Sequence, residues 1–352
     1  MPKIDAHGVA FEWAGQAHQV VVTGTWCDWR ADAALPLRRG RGGTWTGHLD
    51  LPQEAYVEYR LMVDGEPIPD PSNPDATYNG IDGNNNQLWM PAASRRAPGL
   101  ISRRGPRGEV RRGHLTLGWL AAAPKRRRFD LYLPPRAGET IDPQSLPLLV
   151  VLDGADYLDR GRLHRILDSL IGLGRMAPVA AAFIDNAGPS RGTEYAGNDF
   201  TVATLVNEVV PAAVERLGLG PQEAPDRADG RESGERADGR AAILGSSMGG
   251  WMALHACLRR PQLFGRGILQ SVAAFPFIEL STVLLAKHLD PPPVRLWQDA
   301  GDYEWLAEAN DELGALLVER GYDLTYRRHH GGHDQTSWSE SLVDALPAIF
   351  PA

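Results

Sequence analysis

Only two cysteines, Cys27 and Cys257, occur in the 352 residues, and no run of 18 apolar residues is present. The cysteines fall in segments of different character, so a disulfide framework is not expected. The lack of a long apolar run argues against a membrane-spanning helix, and no membrane partner is expected. The opening MPKIDAHGVAFEW has no apolar core with a small-residue cleavage site, which makes the cytoplasm the expected location. Basic excess is also missing: 36 Lys and Arg stand against 44 Asp and Glu, a net charge of −8. A nucleic-acid binder needs a basic face to displace counterions, so nucleic acid is not an expected partner. Nothing in the sequence calls for a metal or a cofactor.

What is present suits two globular domains: 43% hydrophobic and 23% charged residues, over a length long for one domain. Residues 1–95 read as short strands separated by turns. HQVVVTGTW, GTWTGHLDL and VEYRLMVDG carry alternating or clustered apolar residues, and PDPSNPDATYNGIDGNNNQ is dense in turn formers before a last strand, QLWM. This spacing predicts a small all-β, immunoglobulin-like sandwich. Residues 96–112, rich in Arg, Pro and Gly without apolar periodicity, read as a linker.

From 113 to 352 apolar strands such as LPLLVVLDG, PVAAAFID, RAAILGSS and PPVRLWQDAG alternate with helical spacing in LHRILDSLIGLG, GGWMALHACLRR and ANDELGALLVERG. That alternation predicts an α/β domain, a mostly parallel sheet with helices on both faces. Residues 221–240 break the scheme. They contain RADGR twice and almost no apolar residue, and read as a mobile insertion.

Within RAAILGSSMGGWMALHACL, the segment Gly245-Ser246-Ser247-Met248-Gly249 is a G-x-S-x-G motif between an apolar strand and a helix. A sharp strand-to-helix turn exposes a serine hydroxyl, and small residues two positions away let strand and helix approach. The helix N-terminus then supplies free N–H groups near a developing oxyanion. Ser247 is the expected nucleophile; Ser246 has the wrong glycine spacing. Five histidines follow it: His255, His288, His329, His330 and His333. DLTYRRHHGGHD reads as a last strand and a glycine-hinged loop, so His333 is the expected base, with His330 second. The acid must follow the strand VRLWQ, where Asp299, Asp302 and Glu304 are open alternatives.

RRFDLYLPP, LLVVLDGADYL, RGTEYAGNDFTVATLVNEVVP, GSSMGGWMAL, the stretch from Ala300 to Asp334 and Trp338 together resemble a family. It is the putative-esterase group of α/β-hydrolases, with enterochelin esterases, esterase D and feruloyl esterases, and the resemblance spans roughly 125–350. It implies Ser247 as nucleophile, His333 as base and, from G-x-x-D/E, Glu304 as acid, with Asp302 the alternative. It also implies an oxyanion hole from the N–H groups of Met248 and of Ala155 or Gly154. Arg191, Glu194 and Asn198 match its R-x-x-E-x-x-x-N pattern and are expected to line the substrate pocket.

VVVTGTWCDW, LRRGRGGTWTGHLDLP, VEYRLMVDG, DPSNPD and GNNNQLWMP resemble, in order, the glycogen- and starch-binding modules of branching enzymes and of the AMP-activated kinase β-subunit. Those modules stack sugars on two aromatics. Trp29 matches the first and is a candidate substrate contact; Pro67 stands where the second would be. A lid or wall over the active site, with loops 73–87 approaching Ser247, is therefore expected ahead of a glycan contact. On that view, removing the module alters large-ester kinetics and spares small esters. The implied activity is carboxylic-ester hydrolysis of a small-molecule ester through an acyl-enzyme, with a siderophore trilactone the first choice. The alternatives are feruloyl or acetyl esters of carbohydrates, or a non-catalytic carbohydrate-binding protein on a hydrolase scaffold.

Overall fold

The computed structural model describes residues 1–118, 120–135, 141–223, 239–274 and 280–352. Most of the RADGR-repeat segment, 224–238, lies outside the described residues. Contacts divide the chain into two units. The first comprises Met1–Arg95 with Ala300–Ala307 and Arg328–Ser337; the second comprises Arg96–Asp299, Glu308–Arg327 and Trp338–Ala352.

In the first unit, β1 (Lys3–Ile4), β2 (Gly8–Ala14), β3 (Val20–Gly24), β4 (Leu35–Pro36), β5 (Arg38–Arg39), β6 (Thr44–Asp50), β7 (Tyr56–Val63), β8 (Glu66–Ile68), β9 (Ala76–Tyr78) and β10 (Asn84–Trp89) form two sheets. Their orders are β1-β2-β6-β5 and β4-β3-β7-β10-β9, with β8 on β7. Alternate residues of the long strands, Val9 and Phe11, Val20 and Val22, Val57, Tyr59 and Leu61, point into one core, as strand geometry requires when two sheets face each other. The Asn- and Asp-rich stretch is ordered by its own side chains. Tyr59 Oη donates to Asp70 Oδ2 at 2.7 Å, and Asp70 N–H donates to Asn86 Oδ1 at 2.7 Å.

The second unit begins with α1 (Arg96–Ser102), then β11 (Glu109–Arg111) and β12 (His114–Thr116). The linker expected over 96–112 is thus a docked segment. Ala97 and Leu100 are buried in the core, the α1 amides of Arg96 and Ala97 donate to the Glu340 carboxylate at 3.1 and 2.8 Å, and β11 pairs with the strand Arg126–Leu133, β13. Composition hid this, because the helix is so short and its cap lies more than 240 positions away in sequence.

Strands β14 (Leu148–Leu152), β15 (Ala180–Ile184), β16 (Ala241–Ser246), β17 (Phe264–Gln270), β18 (Arg295–Gly301) and β19 (Asp323–His329) complete the sheet, ordered β11-β13-β15-β14-β16-β17-β18-β19 with β12 beside β13. The pairings from β15 through β14, β16 and β17 to β18 are parallel, and β13 is antiparallel to β15. Helices α2 (Leu163–Gly172), α3 (Arg191–Tyr195), α4 (Asp199–Thr204), α5 (Val210–Leu217), α6 (Met248–Arg259), α7 (Leu280–His288), α8 (Ala307–Glu319) and α9 (Gln335–Ile349) accompany it. Leu148, Val150 and Leu152 enter one core cluster while Leu149 and Val151 enter another. That split is why these strands are apolar throughout: both faces of the sheet are covered. Among the described residues no helix is long and apolar enough to cross a membrane.

Candidate active site

Strand β16, buried along its whole length, delivers the chain to Ser247, where α6 starts. Ser247 has φ 58° and ψ −124°, a conformation that a residue with a side chain keeps only when its surroundings hold it. Its N–H donates to the Gln270 carbonyl at 2.8 Å, and its own carbonyl accepts from Trp251 and Ala273, both at 3.1 Å. A Cβ on Gly245 would lie 2.3 Å from the Gly249 carbonyl oxygen, so the motif's glycines are what let β16 and α6 approach. Since Trp251 makes the first bond to Ser247, the amides of Met248, Gly249 and Gly250 have no intrahelical acceptor and form the positive end of α6.

The turn after β14 corrects one expectation. The Ala155 amide donates to Asp185 Oδ1 at 2.7 Å and is not open to an oxyanion. Asp185 follows β15, the parallel neighbour of β14, which brings its carboxylate to this turn. Gly154 is required sterically, because a Cβ there would sit 2.6 Å from the Ile184 nitrogen. Asp153, at φ 52°, holds Arg191 through bonds of 2.9 and 2.7 Å. Burial works against the guanidinium charge, but the Asp153 carboxylate outweighs it and keeps the Arg191 pKa above the ordinary arginine value. Arg191 also reaches the Ser246 carbonyl at 3.4 Å, and so stands beside the elbow.

Its two pattern partners make contacts within the fold. Glu194 is buried in an ion pair with Arg127 at 3.2 Å and accepts the Ala187 amide at 2.8 Å. Asn198 caps α4, its side chain accepting from the Phe200 amide at 2.8 Å. Both positions are explained by architecture alone.

In the first unit, the loop after β18 carries Glu304 and the loop after β19 carries His333. His333 Nδ1 lies 2.8 Å from Glu304 Oε2; the carboxylate accepts, so Nδ1 carries the proton and Nε2 is left basic. The Glu304 side chain is fully buried, and its second oxygen accepts the Gly301 amide at 3.1 Å. Asp302 is engaged elsewhere, 2.9 Å from Arg328 and 2.6 Å from His330 Nδ1. Asp299 belongs to the second unit, where it accepts from Trp297 Nε1 at 2.8 Å and Ser341 Oγ at 2.5 Å. Of these two histidine–carboxylate pairs, that of His333 and Glu304 has the buried carboxylate.

The sandwich supports these loops. The Tyr56 amide donates to the His330 carbonyl at 2.9 Å, and Tyr303 packs against the sandwich core. A cavity of about 490 Å3 is lined by Trp29, Met62 and Pro67 from the sandwich and by Tyr303, Trp305 and His333 from the loops. Trp29 and Trp305 are 40% and 51% exposed. Sequence reasoning singled out Trp29 but not Tyr303 or Trp305; their signal was adjacency to Glu304. Among the described residues no group of three or more His, Cys, Asp or Glu side chains is placed to hold a metal ion.

The chain is similar to known proteins. Residues 121–349 match the family described as putative esterase, and residues 7–90 match the glycogen recognition site of AMP-activated protein kinase. The iron(III) enterobactin esterase of Dickeya dadantii is 28% identical over 239 residues, covering 62% of this chain and 51% of that protein. Its Escherichia coli namesake is 29% identical over 210 residues, covering 57% and 48%. The chain thus spans about half the length of these curated relatives. The crystal structure of enterobactin esterase from Shigella flexneri in the presence of enterobactin matches with TM-score 0.76 at 22% identity, over 99% of this chain and 94% of that one. A ferulic acid esterase matches with TM-score 0.55 at 19% identity, over 70% and 99%. At these identities the structural likeness is one of fold.

Proposed function

Since the chain belongs to the putative esterase family, we propose that it is a serine carboxylic-ester hydrolase with Ser247 as nucleophile, His333 as base and Glu304 as acid. The observation that carries this reading is the 2.8 Å bond from His333 Nδ1 to the buried Glu304 carboxylate. It leaves Nε2 to accept the Ser247 proton as Oγ attacks the ester carbonyl, and the carboxylate steadies the imidazolium that results. The Met248 amide at the positive end of α6, with Gly154 opposite, receives the oxyanion. Collapse expels the alcohol, which takes the proton from Nε2, and water repeats the sequence on the acyl-enzyme. Arg191, fixed by Asp153, orients the substrate.

The substrate assigned is a siderophore trilactone, a small cyclic polyester handled in the cytoplasm. The names of the 28% and 29% identical relatives support it. Residues 1–95 act as a wall of the substrate cavity and 113–352 as the catalytic domain. Support for the wall comes from Trp29 and Pro67, the positions of the sugar platform in glycogen-binding modules, which here face the cavity that holds His333. A glycan bound on that platform would compete with the ester for the same space. The test is turnover of an iron-free catecholate trilactone, its ferric complex, feruloyl esters and acetylated sugars, with mass-spectrometric mapping of a fluorophosphonate adduct. An adduct on Ser247 with trilactone turnover is expected. Turnover confined to feruloyl or acetyl esters would overturn the siderophore assignment, and an adduct at another serine would overturn the mechanism.

A further inference from the structure

The cavity beside His333 has an unbalanced charge. Arg60 is the one arginine or lysine among its described lining residues, and it is spent on Asp82, with Nη2 at 2.8 Å and Nη1 at 3.3 Å. Glu58, 4% exposed, accepts from Tyr56 Oη at 3.0 Å and from Asn85 Nδ2 at 2.7 Å. Asp28 opens the pair of consecutive left-handed residues that presents Trp29, with φ 52° and 60°. Asp334 accepts from the Ser337 amide and hydroxyl at 2.8 and 3.0 Å. Burial, reinforced by the charge of Glu58, pushes the Asp334 carboxyl well above the usual range. The exposed faces of Trp29 and Trp305 favour aryl groups and cations over anions, because the ring face is electron-rich.

We propose that this cavity is a charge-selecting subsite that accepts an uncharged or cationic aryl-sized group of the ester and rejects an anionic one. The inference rests on the proposed function in placing the scissile ester at His333. For a catecholate trilactone it selects the iron-free ligand, whose catechols can bind as neutral diphenols. The ferric complex, six phenolates around one Fe(III), carries three negative charges and is disfavoured. The chain would then act on the opposite form of the substrate from the one in its relatives' names.

The test is equilibrium binding to full-length Ser247→Ala, so that turnover does not enter. Calorimetry compares benzyltrimethylammonium with benzylsulfonate, and the iron-free trilactone with its gallium(III) complex. The cation should bind about tenfold or more tightly than the anion, and added Asp28→Asn or Trp29→Ala should narrow that gap. Equal or tighter anion binding, no binding of either probe, or a gap untouched by both substitutions overturns the subsite. Discrimination between the probes without trilactone binding supports the subsite and removes the siderophore assignment. Tighter binding of the gallium complex removes charge selection and leaves that assignment intact.

Discussion

At Ser247 the backbone is forced into a conformation that its neighbours, not its side chain, maintain. Backbone hydrogen bonds to the Gln270 carbonyl and from the Trp251 and Ala273 amides hold the turn, so Ser247→Ala should fold with an unchanged circular dichroism spectrum and melting temperature. Ester turnover should fall by about 10^3 or more; retained turnover in the purified variant would end the mechanism. For the acid, Glu304→Gln should lower kcat by orders of magnitude. Asp302→Asn should cost little, because Asp302 serves Arg328 and His330. Steady-state kinetics decide, and the reverse ranking would move the acid to Asp302. Sequence alone left three carboxylates within six residues of one another. What separates them is which one the His333 ring meets, and that depends on two loops brought together by β18 and β19. The Ala155 amide was misread for a similar reason: its acceptor, Asp185, lies 30 positions on.

Elements were easier to read than contacts. The junction of β16 and α6 was plain, since the apolar run from Ala241 to Leu244 meets a helix across Gly-x-Ser-x-Gly. Gly245→Ala tests its geometry. The new methyl would press on the Gly249 carbonyl, and overpacking of this kind costs about 1–3 kcal/mol. A lowered melting temperature with loss of turnover is expected, and a stable, active variant would show that the turn can open. Asn198 separates architecture from substrate contact at the start of α4. As a helix cap its loss to alanine should cost about 1 kcal/mol of stability and leave KM unchanged; a raised KM at unchanged stability would return it to the pocket. Helix α1 was invisible in sequence, because nothing in RAPGLIS announces that Glu340 will cap it.

On the scale of the whole chain, the segments that carry Glu304 and His333 cluster with the sandwich, although they extend from strands of the α/β sheet. That changes what removal of the first 95 residues should do. Sequence reasoning expected small esters to be spared. With the His330 carbonyl bonded to the Tyr56 amide, the truncated chain should instead lose turnover of 4-nitrophenyl butyrate as well, by about tenfold or more for a displaced base. Helical content by circular dichroism checks that the remaining domain is folded, and undiminished small-ester kinetics would restore the earlier expectation. The sandwich was recognisable from its strand spacing and its turns, but its reach into the loop of His333 was not, because Tyr56 and His330 lie 274 positions apart. The Tyr56–His330 bond bears on descent as well as on mechanism. A lineage that shed the first 95 codons would lose the backbone partner of the loop that carries the proposed base, so the gene could not be shortened there without cost to the chemistry proposed for it.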